Sequence, residues 1–363
     1  MSDTPVPLAV LASTDPVERD VAILTALLDA PGYVAIVHEL LPDAAGEPEL
    51  IRRVVTLSGE SSETVPLEHA CPGCAMREDA VPAVVEQLDE RPAGILLALP
   101  IGAELLPATR TLSSAIRCGA LNGTRLVGTT AVVATRHLLD ALDDGDDSVV
   151  AQLIGAETII ATGGGRAAHD VIDALRCPGS AMLPDACEPW LPRAVALTHD
   201  DEHLERICDP ETMGRGHGMR RAEALPDGVV VAPSGVWEME LSSDLPFHPD
   251  RLLRAVGSLG AQGAVSRGRF WVPNRPDSVC GWESVSGQVC VGVAGAWAGE
   301  TRQTYLTVVG YDADPAAIRA AFCSALLTQD EHAAGLAPWL GQADPLVPYL
   351  GEASVVHDLD SAG

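Results

Sequence analysis

Two cysteines three positions apart, in the segment Glu68-His69-Ala70-Cys71-Pro72-Gly73-Cys74, are the first residues of this chain whose types and spacing suggest chemistry. A C-x-x-C spacing lets both thiolates reach one tetrahedral zinc ion, and His69 or Glu68 could supply a further ligand. Thioredoxin-type redox pairs have the same spacing. A third interpretation is a reduced structural remnant with neither role. The sequence leaves these three alternatives open.

A second candidate metal site contains His199, His203 and Cys208. The two histidines are four residues apart, so on a helix they would share a face, and Cys208 follows closely. The stretch is strongly acidic, however. The alternative interpretation is a solvated linker that happens to contain histidines.

The lack of lysine and the negative charge of the chain argue against several kinds of chemistry. All 23 basic residues are arginines, against 51 acidic residues, and the formal net charge is −28. Without lysine, a phosphate-loop lysine, a Schiff-base lysine and a serine–lysine dyad are excluded. The negative charge argues against direct nucleic-acid binding and against anionic membranes, because phosphates would be repelled. Since no apolar run has the length of a membrane span and no signal peptide is recognisable, we expect a cytoplasmic protein.

The order of elements predicts how these residues are positioned. A length of 363 residues predicts two domains. In residues 1–197, apolar runs alternate with helical patterns, which indicates an α/β domain with a parallel sheet and helices on both faces. Residues 198–232 are polar and are interpreted as a linker. Residues 233–345 indicate a smaller α+β domain, and residues 346–363 are interpreted as a loosely ordered tail.

Four motifs in the C-terminal region suggest a family. They read PFHPDRL (246–252), SRGRFWVPNRPD (266–277), GAW (295–297) and RQTYLTVVGYDADPAAIRAAFCSALLTQDE (302–331). In sequence and order they resemble the C-terminal domain of CobW-like proteins, a family of P-loop GTPases linked to metal handling. The resemblance implies a P-loop-NTPase-like N-terminal domain followed by the CobW C-terminal domain.

In this family the first strand leads into the phosphate loop GxxGxGKTT. By resemblance, Ser13, Pro16 and Glu18 stand at the three glycine positions, Arg19 at the lysine, and Asp20 at the magnesium-binding residue. Glycines let backbone N–H groups wrap the phosphates, whereas proline has no N–H and glutamate adds negative charge. Arginine is a poor substitute for the slender lysine stem. These replacements predict that GTP binding is lost.

The other nucleotide motifs of the family are changed as well. The magnesium-proximal segment corresponds to ILLALPIG (95–102), where Ala98 or Leu99 replaces the acid. The guanine-reading NKxD corresponds to Thr162-Gly163-Gly164-Gly165. That glycine turn is interpreted as a tight strand-to-helix loop or as an anion-binding turn before a helix.

The family's metal motif GCxCC corresponds to Cys71 and Cys74, with Gly73 at the middle cysteine, and its histidine-rich stretch corresponds to the region of His199. The resemblance therefore implies a protein of zinc homeostasis. We expect that it has lost GTP binding and hydrolysis and acts by binding a protein partner.

Two alternatives remain from the same resemblance. One is an active metal-trafficking GTPase with an atypical phosphate loop, in which Arg19 replaces the lysine. The other is a ribosome-associated or regulatory factor of the zinc-starvation response. Because of the charge of the chain, such a factor would dock through protein contacts rather than on RNA.

Overall fold

The chain divides into two compact units. The N-terminal unit comprises Met1–Leu142 and Asp146–Asp209, and the C-terminal unit comprises Asp143–Gly145 and Pro210–Gly363. Among the described helices, none is long and apolar enough to cross a membrane. The computed structural model describes residues 4–41, 49–207, 223–224, 228–297, 299, 301–339 and 342–351.

A mainly parallel sheet lies at the centre of the N-terminal unit. Its strands in the described residues are β1 (Val6–Ser13), β2 (Tyr33–Leu40), β3 (Glu49–Thr56), β4 (Gly59–Pro66), β5 (Gly94–Ala98), β6 (Thr124–Ala134), β7 (Thr158–Thr162) and β8 (Ala181–Leu183). Their order is β4-β3-β2-β5-β1-β6-β7-β8. All neighbours pair in parallel except β2–β3 and β3–β4, which are antiparallel.

Helices flank this sheet. In the described residues they are α1 (Pro16–Asp29), α2 (Pro72–Cys74), a π-helical segment (Ala75–Ala80), α3 (Val81–Asp89), α4 (Leu105–Arg117), α5 (Thr135–Asp143), α6 (Ser148–Gly155), α7 (Arg166–Leu175), α8 (Trp190–Ala196) and α9 (Asp201–Ile207). Ala9 and Leu11 of β1 pack in one core with residues of α1 and α8. The alternating residues Leu8 and Val10 are also fully buried, and α4 and α6 contact β1 as well. Burial on both faces of a central strand is the pattern of an α/β sheet covered on both sides.

Two parts of the N-terminal unit differ from the sequence interpretation. The hairpin β3–β4 extends the predicted parallel sheet at one edge with antiparallel strands. The region interpreted as a linker begins with α9, which belongs to the N-terminal unit, and that unit extends to Asp209. The reason is packing, since Leu204 of α9 is buried.

The C-terminal unit contains an antiparallel sheet. Its strands in the described residues are β9 (Glu223–Ala224), β10 (Val230–Val231), β11 (Trp237–Ser243), β12 (Ala264–Phe270), β13 (Ser278–Val285), β14 (Gln288–Ala296) and β15 (Thr304–Gly310). They lie in the order β14-β13-β12-β15-β11-β10-β9. The helices described there are α10 (Pro249–Leu259), α11 (Pro315–Ala325), α12 (Gln329–Ala333) and α13 (Val347–Leu350).

Aromatic residues lie at the centre of the core of this unit. The ring centroid of Phe247 lies 5.6 Å from that of Phe270 and 5.4 Å from that of Phe322. Leu346 and Leu350 are buried in the same core, so the packed domain extends beyond residue 345, where the tail was predicted to begin. The predicted fold class is confirmed: a mainly parallel sheet flanked by helices is followed by a separate, smaller α+β unit.

Candidate functional site

The junction between β1 and α1 is the place where the sequence predicts a degenerate phosphate loop. Only Thr14 and Asp15 separate the end of β1 from the first residue of α1, Pro16. The hydroxyl of Ser13 is buried and donates a hydrogen bond of 2.8 Å to the carbonyl of Val132 on β6. The junction is therefore a short strand-to-helix turn tied to the neighbouring strand.

Asp15 occupies the N-terminus of α1 with its own carboxylate. The backbone N–H groups of Val17 and Glu18 donate to Asp15 Oδ1 at 2.8 and 3.1 Å. An aspartate before a proline at the first helical position is a favoured helix start, because the carboxylate satisfies N–H groups that lack partners in the helix. Those are the groups that would bind a phosphate in a nucleotide site.

Arg136, at the start of α5, binds the carboxylates of Asp15 and Glu18. Its Nη2 lies 3.0 Å from Asp15 Oδ2, and its Nη1 donates to the carboxylate of Glu18. The cluster thus places two carboxylates around one guanidinium and keeps a formal charge of −1. Sequence reasoning missed Asp15 and Arg136, although Asp15-Pro16 is itself a recognisable helix-start signal.

The side chains of Arg19 and Asp20 belong to a different network. Arg19 is buried and donates to the carbonyl of His38 at 3.3 Å and to Glu39 Oε1 at 2.9 Å. Asp20 Oδ2 accepts from Arg53 Nη2 at 3.0 Å. Of the predicted nucleotide positions, Ser13, Pro16 and Glu18 therefore lie at the junction, whereas Arg19 and Asp20 join ion pairs with β2 and β3.

The segments that correspond to the remaining nucleotide motifs of the family follow strands β5 and β7. Ala98 ends β5 and Leu99 follows it, and both are fully buried. The backbone N–H of Leu99 donates to the carbonyl of Leu11 at 2.9 Å. The glycine turn after β7 ends at Gly165, which has a φ of 153° and lies immediately before α7.

The loop with the two cysteines forms a compact local structure. Cys71 caps the single helical turn α2, and the backbone N–H of Cys74 donates to its sulfur at 3.3 Å. His69 Nδ1 lies 3.7 Å from the sulfur of Cys74. Glu68 is instead directed to Arg77, with 3.3 Å between Oε2 and Nη2. The structure thus brings Cys71, Cys74 and His69 together and directs Glu68 to an ion pair.

The two thiols differ in electrostatic environment. Hydrogen bonds from the backbone and side chain of Cys74 lower the pKa of Cys71, which is partly exposed. The hydrogen bond to Cys71, burial and the nearby Glu78 raise the pKa of Cys74. Cys71 is therefore the readier thiolate of the pair.

Two thiols and an imidazole are a suitable partial donor set for zinc. Within the described part of the chain, however, no group of three or more histidine, cysteine, aspartate or glutamate side chains is arranged to hold a metal ion. A complete site at this loop would therefore need small rearrangements or a ligand from elsewhere.

The cysteine loop leads directly into a buried polar cluster. Asp79, in the π-helical segment, accepts from Arg52 Nη1 of β3 at 2.9 Å, and its Oδ2 lies 2.8 Å from His38 Nε2 of β2. His38 and Asp79 are buried, and His38 Nδ1 has no hydrogen-bond partner. Sequence reasoning missed this cluster, because its members come from three separate elements.

The second predicted metal site is not assembled within the described residues. His199 lies before α9, and its Nδ1 and Nε2 lie 2.9 Å from Glu157 Oε2 and 2.8 Å from Asp201 Oδ1. Both ring nitrogens are therefore engaged by carboxylates. His203 is exposed on α9, and Cys208 lies outside the described residues.

A cavity of about 540 Å³ lies in the C-terminal unit. The guanidinium of Arg302 stands 5.5 Å from the ring centroid of Trp271, and that of Arg269 stands 5.3 Å from the ring centroid of Trp297. Both indole rings thus contact cations of the same chain. The lining of the cavity includes Asp244, Trp271, Asp277, Trp297, Arg302 and His332.

Comparison with known proteins identifies the C-terminal unit. Residues 236–326 match the family described as "Cobalamin synthesis protein cobW C-terminal domain". The resemblance predicted from the sequence is thereby confirmed for residues 236–326.

Curated relatives are similar over a limited region. The protein named Zinc chaperone Rv0106, from Mycobacterium tuberculosis, is 35% identical over 133 residues, covering 30% of this chain and 33% of the relative. An uncharacterized protein of Mycobacterium bovis matches equally. The match thus spans about a third of the length of these relatives.

Among solved structures, the Zn(II)-bound YjiA GTPase from E. coli aligns with 89% of this chain and 99% of its own. The TM-score is 0.37 and the sequence identity is 14%. A triple mutant of the same GTPase, also Zn(II)-bound, aligns with a TM-score of 0.37 and 13% identity.

Proposed function

We propose that this chain is a CobW-like protein of zinc homeostasis that has lost GTP binding and hydrolysis and acts by binding a protein partner. The observation that carries the proposal is at the β1–α1 junction. There the carboxylate of Asp15 accepts the backbone N–H groups of Val17 and Glu18 that a nucleotide phosphate would need. The protein's own negative charge takes the place of the ligand.

Electrostatics and chemistry both oppose a nucleotide at this junction. A phosphate would have to displace the carboxylate of Asp15 and would then lie beside the carboxylate of Glu18. Like charges in close contact repel strongly where bulk water is excluded. Pro16 offers no N–H to a phosphate. The chain has no phosphate-loop lysine, and Arg136 is already shared by Asp15 and Glu18. The buried side chain of Leu99 supplies no oxygen for magnesium.

Isothermal titration calorimetry with GTP and GDP, each with magnesium, tests this part of the proposal. We expect no binding up to millimolar nucleotide and no release of phosphate in a turnover assay. Micromolar binding with measurable turnover would instead favour the GTPase with an atypical loop. A thermal melt of the same sample establishes that the protein is folded.

Zinc is proposed as the cargo or signal, with Cys71, Cys74 and His69 as candidate ligands. Their support is local: His69 Nδ1 lies 3.7 Å from the Cys74 sulfur, and the pKa of Cys71 is lowered by hydrogen bonds from Cys74. Thiolate ligands prefer zinc to hard cations such as magnesium. Cys71 and Cys74 would hold the ion, and His69 would be its third ligand.

The zinc proposal is tested by metal analysis of the purified protein. We expect about one zinc per chain, as a single tetrahedral site requires, and loss of that zinc in a Cys71→Ser, Cys74→Ser double variant. Cys290→Ser, at an exposed cysteine of β14, is the matched control and should retain the metal. Because thiols must lose protons to bind, affinity should fall as pH falls. Equal metal content in the double variant and in the parent protein would contradict the assignment.

A further inference from the structure

Helix α1 carries a stripe of large apolar side chains on its outer surface. Val17, Val21, Leu24 and Leu28 are 65, 40, 56 and 58% exposed. Their spacing of four, three and four residues places them in one line along the helix. We call these four residues the α1 stripe.

The α1 stripe is not needed for the core of the N-terminal unit. The opposite face of the helix, with Ala22, Ile23, Ala26 and Leu27, is buried against the sheet and α8. The helix is therefore apolar on two faces, although one apolar face is sufficient for a helix at the surface of a domain. Contiguous exposed apolar surface of this kind marks interaction sites in soluble proteins.

The spacing of the stripe indicates the kind of partner that fits it. Positions i, i+4, i+7 and i+11 follow the alternating a and d positions of a heptad repeat. A seam with this pattern packs against a second helix whose apolar side chains have the same repeat. The stripe thus favours an amphipathic helix over a flat surface or a small ligand.

The charge of the whole chain, rather than that of the stripe's borders alone, sets the sign of the partner. On the helical wheel, Asp20 lies on one side, and Glu18 and Asp29 lie on the other. The helix carries one basic residue, Arg19, which is buried and engaged with Glu39. Glu18 is shared with Arg136 and Asp20 with Arg53, but the chain as a whole has a net charge of −28.

We infer that the α1 stripe docks an amphipathic helix of another protein, whose apolar seam is bordered by arginine or lysine. This inference rests on the proposed function, in which the chain acts through a protein partner, and it adds the surface and the chemistry of that partner. A second copy of the chain is disfavoured, because pairing would bring together two chains that each carry a net charge of −28. An anionic membrane is disfavoured for the same reason.

The test uses a synthetic amphipathic helix as the probe. A labelled peptide of about twenty residues carries leucine at its a and d positions and lysine at its e and g positions, the usual composition of a helical zipper. Fluorescence anisotropy measures its affinity for the full-length protein. Two control peptides carry either glutamate at e and g or serine at a and d. We expect both controls to bind at least tenfold more weakly.

Variants of the α1 stripe test whether the peptide binds at this surface. Leu24→Gln with Leu28→Gln removes half of the stripe and keeps good helix formers, so the fold should be retained. We expect this double variant to bind the lysine peptide at least tenfold more weakly. Val85→Gln on α3, at a side chain 41% exposed, is the matched control and should bind as the parent protein does. If the double variant unfolds, Val17→Gln with Val21→Gln replaces it.

Each remaining outcome overturns the inference. Equal binding by the stripe variant and the parent protein would show that the peptide binds elsewhere through charge alone. Sedimentation that detects a dimer in the parent protein but not in the variant would assign the stripe to a second copy. Stripe-dependent binding to phosphatidylserine vesicles would assign it to a membrane. In all three cases the absence of GTP binding, measured separately, would leave the proposed loss of GTPase activity standing.

Discussion

The β1–α1 junction and the Cys71–Cys74 loop differ in how their reactive groups are used. At the junction, the N–H groups of Val17 and Glu18 donate to Asp15. At the cysteine loop, a partly exposed thiol with a lowered pKa lies next to a second thiol and near an imidazole. The comparison shows that the backbone donors of the junction are satisfied by the chain's own carboxylate. The donors of the cysteine loop instead converge and keep partial access to solvent.

The largest expected effect comes from the buried cluster behind the cysteine loop. Asp79→Ala should lower the free energy of unfolding by about 3 kcal/mol, because it leaves Arg52 without a buried partner and His38 without its hydrogen bond. Urea denaturation at pH 7 measures the loss. Asp79→Asn should lose less, since the amide can still accept a hydrogen bond. A loss below about 1 kcal/mol in the alanine variant would mean that the cluster does not anchor this loop.

The next effect tests the junction itself. Asp15→Ala should cost about 1 kcal/mol of stability, because α1 loses its N-terminal cap. Asp15→Ser keeps a capping oxygen and should cost less. Asp29→Ala, at the opposite end of the same helix, is the control and should change stability by under about 0.5 kcal/mol. Equal losses in the alanine variants at positions 15 and 29 would refute the capping role.

The reactivity of Cys71 tests the description of the cysteine loop. At pH 7.5, Cys71 should react with iodoacetamide several-fold faster than Cys187, because the thiolate is the nucleophile. Hydrogen bonds lower the pKa of Cys71, whereas a hydrogen bond to Asp185 raises the pKa of Cys187. Peptide mass spectrometry over a time course gives both rates in one sample. Faster modification of Cys187 would be incompatible with the described loop.

The smallest effect concerns His199, outside both regions. Burial alone would lower its pKa, but hydrogen bonds and charge from Glu157 and Asp201 outweigh burial and raise it above 6.5. Stabilisation from the protonated ring is therefore complete below about pH 6.5 and is lost as pH rises through the folded-state pKa. Unfolding free energies between pH 6 and 9 should show this decline in the parent protein and in His203→Gln. The decline should be absent in His199→Gln.

Some of this structure follows from local sequence. Helix α10 follows local signals, because Pro249 stands directly after the capping residue His248 and the apolar residues repeat with helical spacing. The nearness of His69 to Cys74 was predictable because they are only five positions apart in the sequence. Short-range geometry is largely fixed by residue type.

Other parts depend on contacts that no local pattern contains. The strand β4 was not predicted, since its residues are mostly exposed and lack apolar alternation. His38 and Asp79 are 41 positions apart, so the fold alone brings them together. His199 was predicted to lie on one helix face with His203, but the carboxylate of Glu157 holds it ahead of α9.

The outermost strand of the large sheet also determines how copies of this protein behave when crowded. In β4, Glu60 and Glu63 pair with Arg53 and Arg52 of β3, and Pro66 ends the strand. An open strand edge can template extended stacking of many chains, and charged side chains and proline block that growth. We therefore expect the charged, ion-paired strand β4 to oppose such stacking at this edge of the sheet.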